Sequence, residues 1–141
     1  MAIHPNILGK QTVSITSYPR ALLFGRWYRN DIDEHGNETV EYAQLSSDGS
    51  FEFTFITLDI TGDVIEQITE LGDWGLVADI HFTLTKNELI DGDLYAADLN
   101  NDDNYQVYKV LALDHKVFHY QHRLTNEEYI MRRVVDNPGH C

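Results

Sequence analysis

The chain has 141 residues, 43% of them hydrophobic, and it carries 10 basic against 23 acidic side chains for a formal net charge of −13. This length suits one domain, and this hydrophobic content excludes a disordered chain. An acidic balance of this size argues against binding to nucleic-acid phosphates or to an anionic membrane surface, so neither partner is expected.

The cysteine content and the N-terminal segment bear on the compartment. The single cysteine is Cys141, so no intrachain disulfide can form. The N-terminal residues lack the apolar core of a signal peptide, and no run approaches the roughly 18 apolar residues of a membrane-spanning helix. We therefore expect an acidic cytoplasmic protein.

Three segments are expected along the chain. Residues 1–20 contain Pro5 and Pro19 and are expected to form an arm rather than a domain. Residues 21–135 are expected to form one β-domain, and residues 136–141 a fraying tail.

Strict alternation of apolar and polar residues predicts β-strands throughout the domain. The clearest case is Phe51, Phe53 and Phe55, which share one face while Glu52 and Thr54 share the other. The predicted strands are residues 22–32, 39–46, 51–60, 64–71, 74–85, 105–113, 117–123 and 127–135.

Turn signals separate these strands. Asp48-Gly49 is a strong hairpin signal, and Leu71 to Gly75 is interpreted as a turn or a bulge. Residues 86–104 are polar and are expected to be a long loop with one short element at 94–97. In strand 105–113, two alternating sets of residues could face the core. One set is Tyr108, Val110 and Ala112, and the other is Val107, Leu111 and Leu113.

No window carries a convincing helical stripe, so the fold class is all-β. Eight strands with short connections predict an antiparallel up-and-down (meander) barrel, because closure removes exposed strand edges. A barrel of eight strands encloses an interior just large enough for side chains or for one small ligand.

The motif Gly25-Arg26-Trp27 resembles the strand-opening Gly-x-Trp of the lipocalin-like (calycin) superfamily. The segment 129–134, with Arg132 and Arg133, looks like the closing strand of that family. The resemblance implies that Trp27 packs at the base of the barrel under Arg133, or under Arg132 if the register differs by one. It also implies the small bacterial branch of the family, many members of which have no assigned ligand.

A set of side chains is expected to face inward and line an apolar cavity, with Tyr120 and His122 supplying polar contacts. The alternative is that the same side chains simply fill the barrel. The predicted ligand-binding residues are Phe53, Phe55, Ile80, Phe82, Phe118, Tyr120, His122 and Met131.

Neither a metal site nor a cofactor is expected. His115, His119 and His122 are close in sequence, but strand alternation places His119 and His122 on opposite faces. The segment 98–104 begins like a calcium-binding loop, yet Asp103 stands where that loop needs glycine.

The preferred function is a small-molecule binding module that holds an apolar or amphipathic ligand inside a lipocalin-like barrel. The alternative is a filled barrel that acts through its surface as a protein-interaction or homodimerisation module, with Phe24 and Tyr28 on its outer face. An enzyme acting on a bound small acid through Tyr120 and His122 is the least favoured hypothesis, because no nucleophile-elbow, phosphate-loop or zinc-protease motif occurs.

Overall fold

The computed structural model describes residues 16–135. Most of the expected N-terminal arm and the expected tail at 136–141, including Cys141, therefore lie outside the described residues. The described chain is almost entirely antiparallel β-structure, with short 3₁₀ turns at Arg20–Leu23 and Asp102–Asn104. The strands are β1 (Gly25–Ile32), β2 (Glu38–Leu45), β3 (Ser50–Leu58), β4 (Val64–Val77), β5 (Ile80–Ile90), β6 (Asp93–Ala96), β7 (Tyr105–Leu113), β8 (Val117–His122) and β9 (Glu128–Arg133).

Eight of these strands close into a barrel. Each pairs antiparallel with its neighbour in the order β1-β2-β3-β4-β5-β7-β8-β9, and β9 pairs back onto β1. The short strand β6 forms a hairpin with the C-terminal residues of β5 and lies outside the closed ring. The predicted eight-stranded up-and-down barrel is confirmed.

The predicted boundary between the fourth and fifth strands is wrong. β4 continues through residues 71–75 to Val77, and the chain turns at Ala78-Asp79 instead. Of the two alternatives for this segment, the bulge is correct, because the register of β4 against β5 shifts between Leu71 and Gly72. The two glycines mark close approaches rather than a turn: a Cβ on Gly72 would lie 1.9 Å from the carbonyl oxygen of Leu84, and one on Gly75 would lie 2.3 Å from the Phe82 ring. Glycine is required there because the neighbouring strand leaves no room for a side chain.

Moving this turn reverses the inward face of β5. Across the hairpin Leu76 pairs with His81, and His81, Thr83 and Thr85 are buried. Ile80 and Phe82, which were expected to face inward, lie on the outer face, where Phe82 is 41% exposed and covers Gly75. Because strand side chains alternate, a misplaced turn moves every following residue to the wrong side.

The expected long loop at 86–104 is also partly wrong. β5 extends to Ile90, and Asp91-Gly92 forms a tight turn into β6. This is the same Asp-Gly signal that predicts the hairpin at Asp48-Gly49. The short element expected at 94–97 is present as β6.

A bulge resolves the two alternatives for strand β7. Tyr108 pairs with His122 and Val110 with Tyr120, but the register then shifts so that Leu113 pairs with Phe118. Tyr108 and Val110 therefore face the interior, and the extra residue at the bulge turns Leu113 inward as well.

The barrel is closed at one end, called the base here, by Trp27 and Arg133. Trp27 is fully buried, and its Nε1 donates to the carbonyl oxygen of Leu23 at 2.9 Å. The Arg133 guanidinium carbon lies 4.2 Å from the centre of the Trp27 ring. The implied contact of Trp27 with Arg133 is confirmed, and Arg132 faces outward into solvent.

The same guanidinium binds the backbone at the base. Arg133 donates to the carbonyl oxygens of Phe24 at 2.6 Å, His115 at 2.7 Å, and Leu22. Gly25 has a φ of +120°, and a Cβ on it would lie 2.7 Å from the Arg133 guanidinium nitrogen Nη1. Glycine is therefore needed at this position both for its backbone conformation and to admit the arginine.

The second tryptophan also anchors the base. Trp74 is buried, its Nε1 donates to the carbonyl oxygen of Ser46 at 3.0 Å, and the Arg20 guanidinium lies 4.7 Å from its ring centre. Phe24 packs edge-on against Trp74 at 6.1 Å and is therefore part of the base, not of an outer aromatic patch. Tyr28 does lie on the outer face, half-buried against Tyr42.

Replacing Arg133 tests this closure. Arg133→Lys keeps the charge but cannot reach three carbonyl groups with a planar fork, so we expect a loss of at least about 2 kcal/mol in the free energy of unfolding. The control is Arg132→Lys, an exposed neighbour that should change stability by less than about 0.5 kcal/mol. Urea denaturation followed by tryptophan fluorescence measures both, and equal losses would contradict the assigned role.

Candidate functional site

The barrel interior contains a cavity of about 180 Å³. This volume corresponds to about six water molecules at ~30 Å³ each and is smaller than the ~300–1,000 Å³ of pockets for drug-sized ligands. The interior is thus partly filled by side chains and leaves space for something small. The cavity is lined by Trp27, Arg29, Glu41, Ala43, Leu45, Phe53, Phe55, Glu70, His81, Thr83, Gln106, Tyr108, Phe118, Tyr120, Tyr129 and Met131.

Five of the eight predicted ligand-binding residues line this cavity, and three do not. Ile80 and Phe82 face outward, as described above. His122 lies where β8 ends: its Nδ1 accepts from the backbone N–H groups of Leu124 and Thr125, and its Nε2 lies 2.5 Å from Oε1 of Gln106. Ligand binding stays a prediction for the five lining residues, which are Phe53, Phe55, Phe118, Tyr120 and Met131.

The polar lining residues were missed by the sequence analysis. Arg29 is two residues after Trp27 on the same strand face, so strand alternation alone could have placed it inside. Its cross-strand partner is Glu41. His81 could not be placed inward without the correct turn between β4 and β5. Glu70 precedes that turn and pairs with Phe53, so its placement depends on the register of β4 against β3.

Arg29 and Glu41 form an ion pair in the cavity wall. The Arg29 Nε lies 2.8 Å from Oε1 of Glu41, and the two side chains are 25% and 12% exposed. Burial raises the pKa of Glu41 even though the hydrogen bond and the charge of Arg29 oppose that shift. The guanidinium also lies 4.9 Å from the ring centre of Tyr129, so an aromatic face covers one side of it.

Glu70 is the second carboxylate of the cavity, and it has no cationic partner among the described residues. Its one side-chain hydrogen bond is a long one of 3.5 Å from the Thr85 hydroxyl. Burial raises the pKa of Glu70, and the negative charges of Glu88 and Glu41 raise it further. The cavity therefore holds more negative than positive charge.

His81 is a neutral buried histidine in the same wall. It is 3% exposed and stacks on Tyr108 at 5.7 Å, with Phe118 edge-on at 5.5 Å. Burial lowers the pKa of His81 to about 4, against the opposing effect of its hydrogen bond with the Gly75 carbonyl oxygen at 3.2 Å. Since a carbonyl can only accept, Nδ1 carries the proton, and Nε2 is left as an acceptor.

The three histidines near the end of the chain do not converge. His119 lies on the outer face, with its Nε2 2.8 Å from a Glu128 oxygen, and His115 lies in the turn at the base. Within residues 16–135, no group of three or more histidine, cysteine or acidic side chains could hold a metal ion. In the same residues, no helix has the length and apolar character to cross a membrane.

The closed meander with Trp27 under Arg133 at its base is a lipocalin-like fold. No family model and no curated protein matches the sequence. Among solved structures, the chain is similar to a lipocalin-like protein from Bacteroides uniformis, with 17% sequence identity and a TM-score of 0.47. That alignment covers 80% of this chain and 99% of the other.

The two cavity carboxylates should respond differently to neutralisation. Glu41→Gln leaves Arg29 in the wall without its counter-charge, so we expect the free energy of unfolding to fall by about 1–3 kcal/mol. Glu70→Gln removes a half-buried charge that has no cationic partner within residues 16–135, so stability at neutral pH should rise rather than fall. Urea denaturation of both variants beside the unmodified chain measures this, and a loss of stability in Glu70→Gln would contradict the unpaired state of Glu70.

The buried His81 should make stability depend on pH. Between its ordinary pKa of 6.5 and its folded value of about 4, the unfolded chain binds a proton that the folded chain does not. The free energy of unfolding therefore falls as pH falls through this window, by up to about 3 kcal/mol from this group.

His81→Gln should lack that component. Denaturant titrations of both proteins across the window give the difference, in which the shared titration of the carboxylates cancels. Equal pH slopes for the two proteins would show that His81 does not titrate as described.

Proposed function

We propose that this protein is a small-molecule binding module that holds an amphipathic ligand inside its barrel. The observation that carries the proposal is the cavity of about 180 Å³, which is bounded by apolar rings and by several polar groups. Mostly apolar walls with a few placed polar groups are characteristic of ligand sites.

The distribution of side chains favours an amphipathic ligand over a purely apolar one. Trp27, Ala43 and Met131 provide apolar wall, whereas Arg29 and Glu41 place charge in the same space. Glu70 also lines the cavity, and its one side-chain hydrogen bond is the 3.5 Å bond from Thr85. A purely apolar ligand would leave this carboxylate without a further hydrogen-bonding partner, which costs free energy. The small volume excludes a long acyl chain held entirely within the cavity.

Native mass spectrometry of the purified protein, followed by a denatured spectrum of the same sample, tests the proposal. Ala43→Leu fills part of the cavity because Ala43 is buried and lines it. The control is Gln44→Leu, which adds a similar side chain at the next residue on the exposed outer face. We expect the unmodified chain and the control to carry extra mass that leaves on unfolding, and Ala43→Leu to carry none.

A native spectrum without any added ligand mass for all three proteins would contradict the proposal. A bare spectrum at the mass of a dimer would favour the surface-interaction alternative instead.

A further inference from the structure

Three groups in the cavity wall have unused hydrogen-bond acceptor capacity: Glu41, Glu70 and His81. Glu70 has no cationic partner among the described residues and makes only the 3.5 Å bond from Thr85. Glu41 has one oxygen on Arg29. A carboxylate can accept about four hydrogen bonds, so acceptor capacity is left over on both residues.

His81 provides a further hydrogen-bond acceptor that is not used. Its Nδ1 faces the Gly75 carbonyl, so the neutral ring has its acceptor at Nε2. Within the described residues, Nε2 makes no hydrogen bond. Every fully buried side-chain nitrogen or oxygen in the same residues has a hydrogen-bond partner, so Nε2 is not fully buried. Because His81 is 97% buried and lines the cavity, Nε2 retains its accessible surface toward the cavity space.

Aromatic rings lie next to the unpaired carboxylate. Phe53 is the direct cross-strand partner of Glu70, and its neighbour in the wall, Phe55, pairs with Glu41. Tyr108 on β7 also lines the cavity, and burial and then the charges of Glu41 and Glu70 raise its pKa. Ring faces beside a negative charge suit a cation, which gains from both.

We propose that the cavity binds a small organic cation, a primary ammonium attached to an apolar group, with Glu70 as its counter-ion and the rings of Phe53 and Tyr108 as walls. This inference rests on the proposed binding function and names its ligand class. An ammonium supplies three donors to a site that is rich in acceptors. It also supplies a second positive charge to a cavity that is lined by two carboxylates and one guanidinium.

Arg29 does not make the cavity a site for anions. Its guanidinium is paired with Glu41 and covered by the Tyr129 ring, so its charge is already compensated. An added carboxylate would enter a space that already holds Glu41 and Glu70. Like charges in a partly buried site repel strongly, because the local dielectric constant is low.

Three probes with one phenyl skeleton separate the alternatives: 2-phenylethylammonium, 2-phenylethanol and phenylacetate, each titrated calorimetrically into the full chain. We expect the ammonium to bind at least about tenfold more tightly than the alcohol and the acid. Glu70→Gln should reduce ammonium binding about tenfold and leave the affinity for the alcohol within about twofold. The control is Glu52→Gln, which removes an exposed carboxylate on the outer face of β3 and should change nothing.

Each of the other outcomes of these titrations contradicts one part of the proposal. Tightest binding of phenylacetate, or of 2-phenylethanol, would overturn the cation and leave the binding module standing. An ammonium affinity that Glu70→Gln does not change would overturn Glu70 as the counter-ion. Binding of none of the three probes would overturn both this inference and the proposed function.

Discussion

The closure of the barrel depends on the position of one guanidinium group. Arg133 lies over Trp27 and donates to three backbone carbonyl oxygens, which otherwise would point into the base without partners. These contacts join the last strand to the first strand and to the 3₁₀ turn before it. The same Trp27 ring lines the cavity, so the interaction that closes the barrel also forms part of the cavity wall.

The cavity wall is not composed for stability alone. An interior of well-packed apolar residues is usually as stable as one with a buried ion pair, or more stable. Here Arg29, Glu41, Glu70 and His81 all reach the interior, and two carboxylates keep raised pKa values because burial disfavours their charged forms. Local departures from the most stable composition are expected at functional sites, and they occur here around one cavity.

Much of the fold could be predicted from the sequence, and less of the site. Alternation along Phe51–Phe55 and the turn signals between strands were sufficient for the eight-stranded meander, and Gly-x-Trp led to the Trp27–Arg133 contact. The errors came from places where local chemistry is ambiguous. Glycines at 72 and 75 look the same in a turn and in a crowded strand, while Ala78-Asp79 carries no ordinary turn signal and holds Ala78 at a φ of 57°.

One such error was enough to lose part of the site. With the turn misplaced, strand alternation puts Ile80 and Phe82 inward and therefore puts His81 outward. Bulges have the same effect on β7, where one extra residue brings Leu113 to the interior. Side-chain alternation is a reliable guide only within a strand whose ends and bulges are known.

The pairing of β9 with β1 has a consequence for how the chain folds. This seam pairs at Trp27 with Arg133 and at Tyr28 with Arg132, and the Arg133–Phe24 bond spans 109 residues of sequence. Contacts between such distant residues carry a large loop-closure entropy, so the seam is expected to form late and to slow folding relative to a helical protein of equal size. Until it forms, the sheet is open, and β1 and β9 present free edges that can pair with another chain. The cavity is therefore enclosed, and these edges are removed, in the same late step.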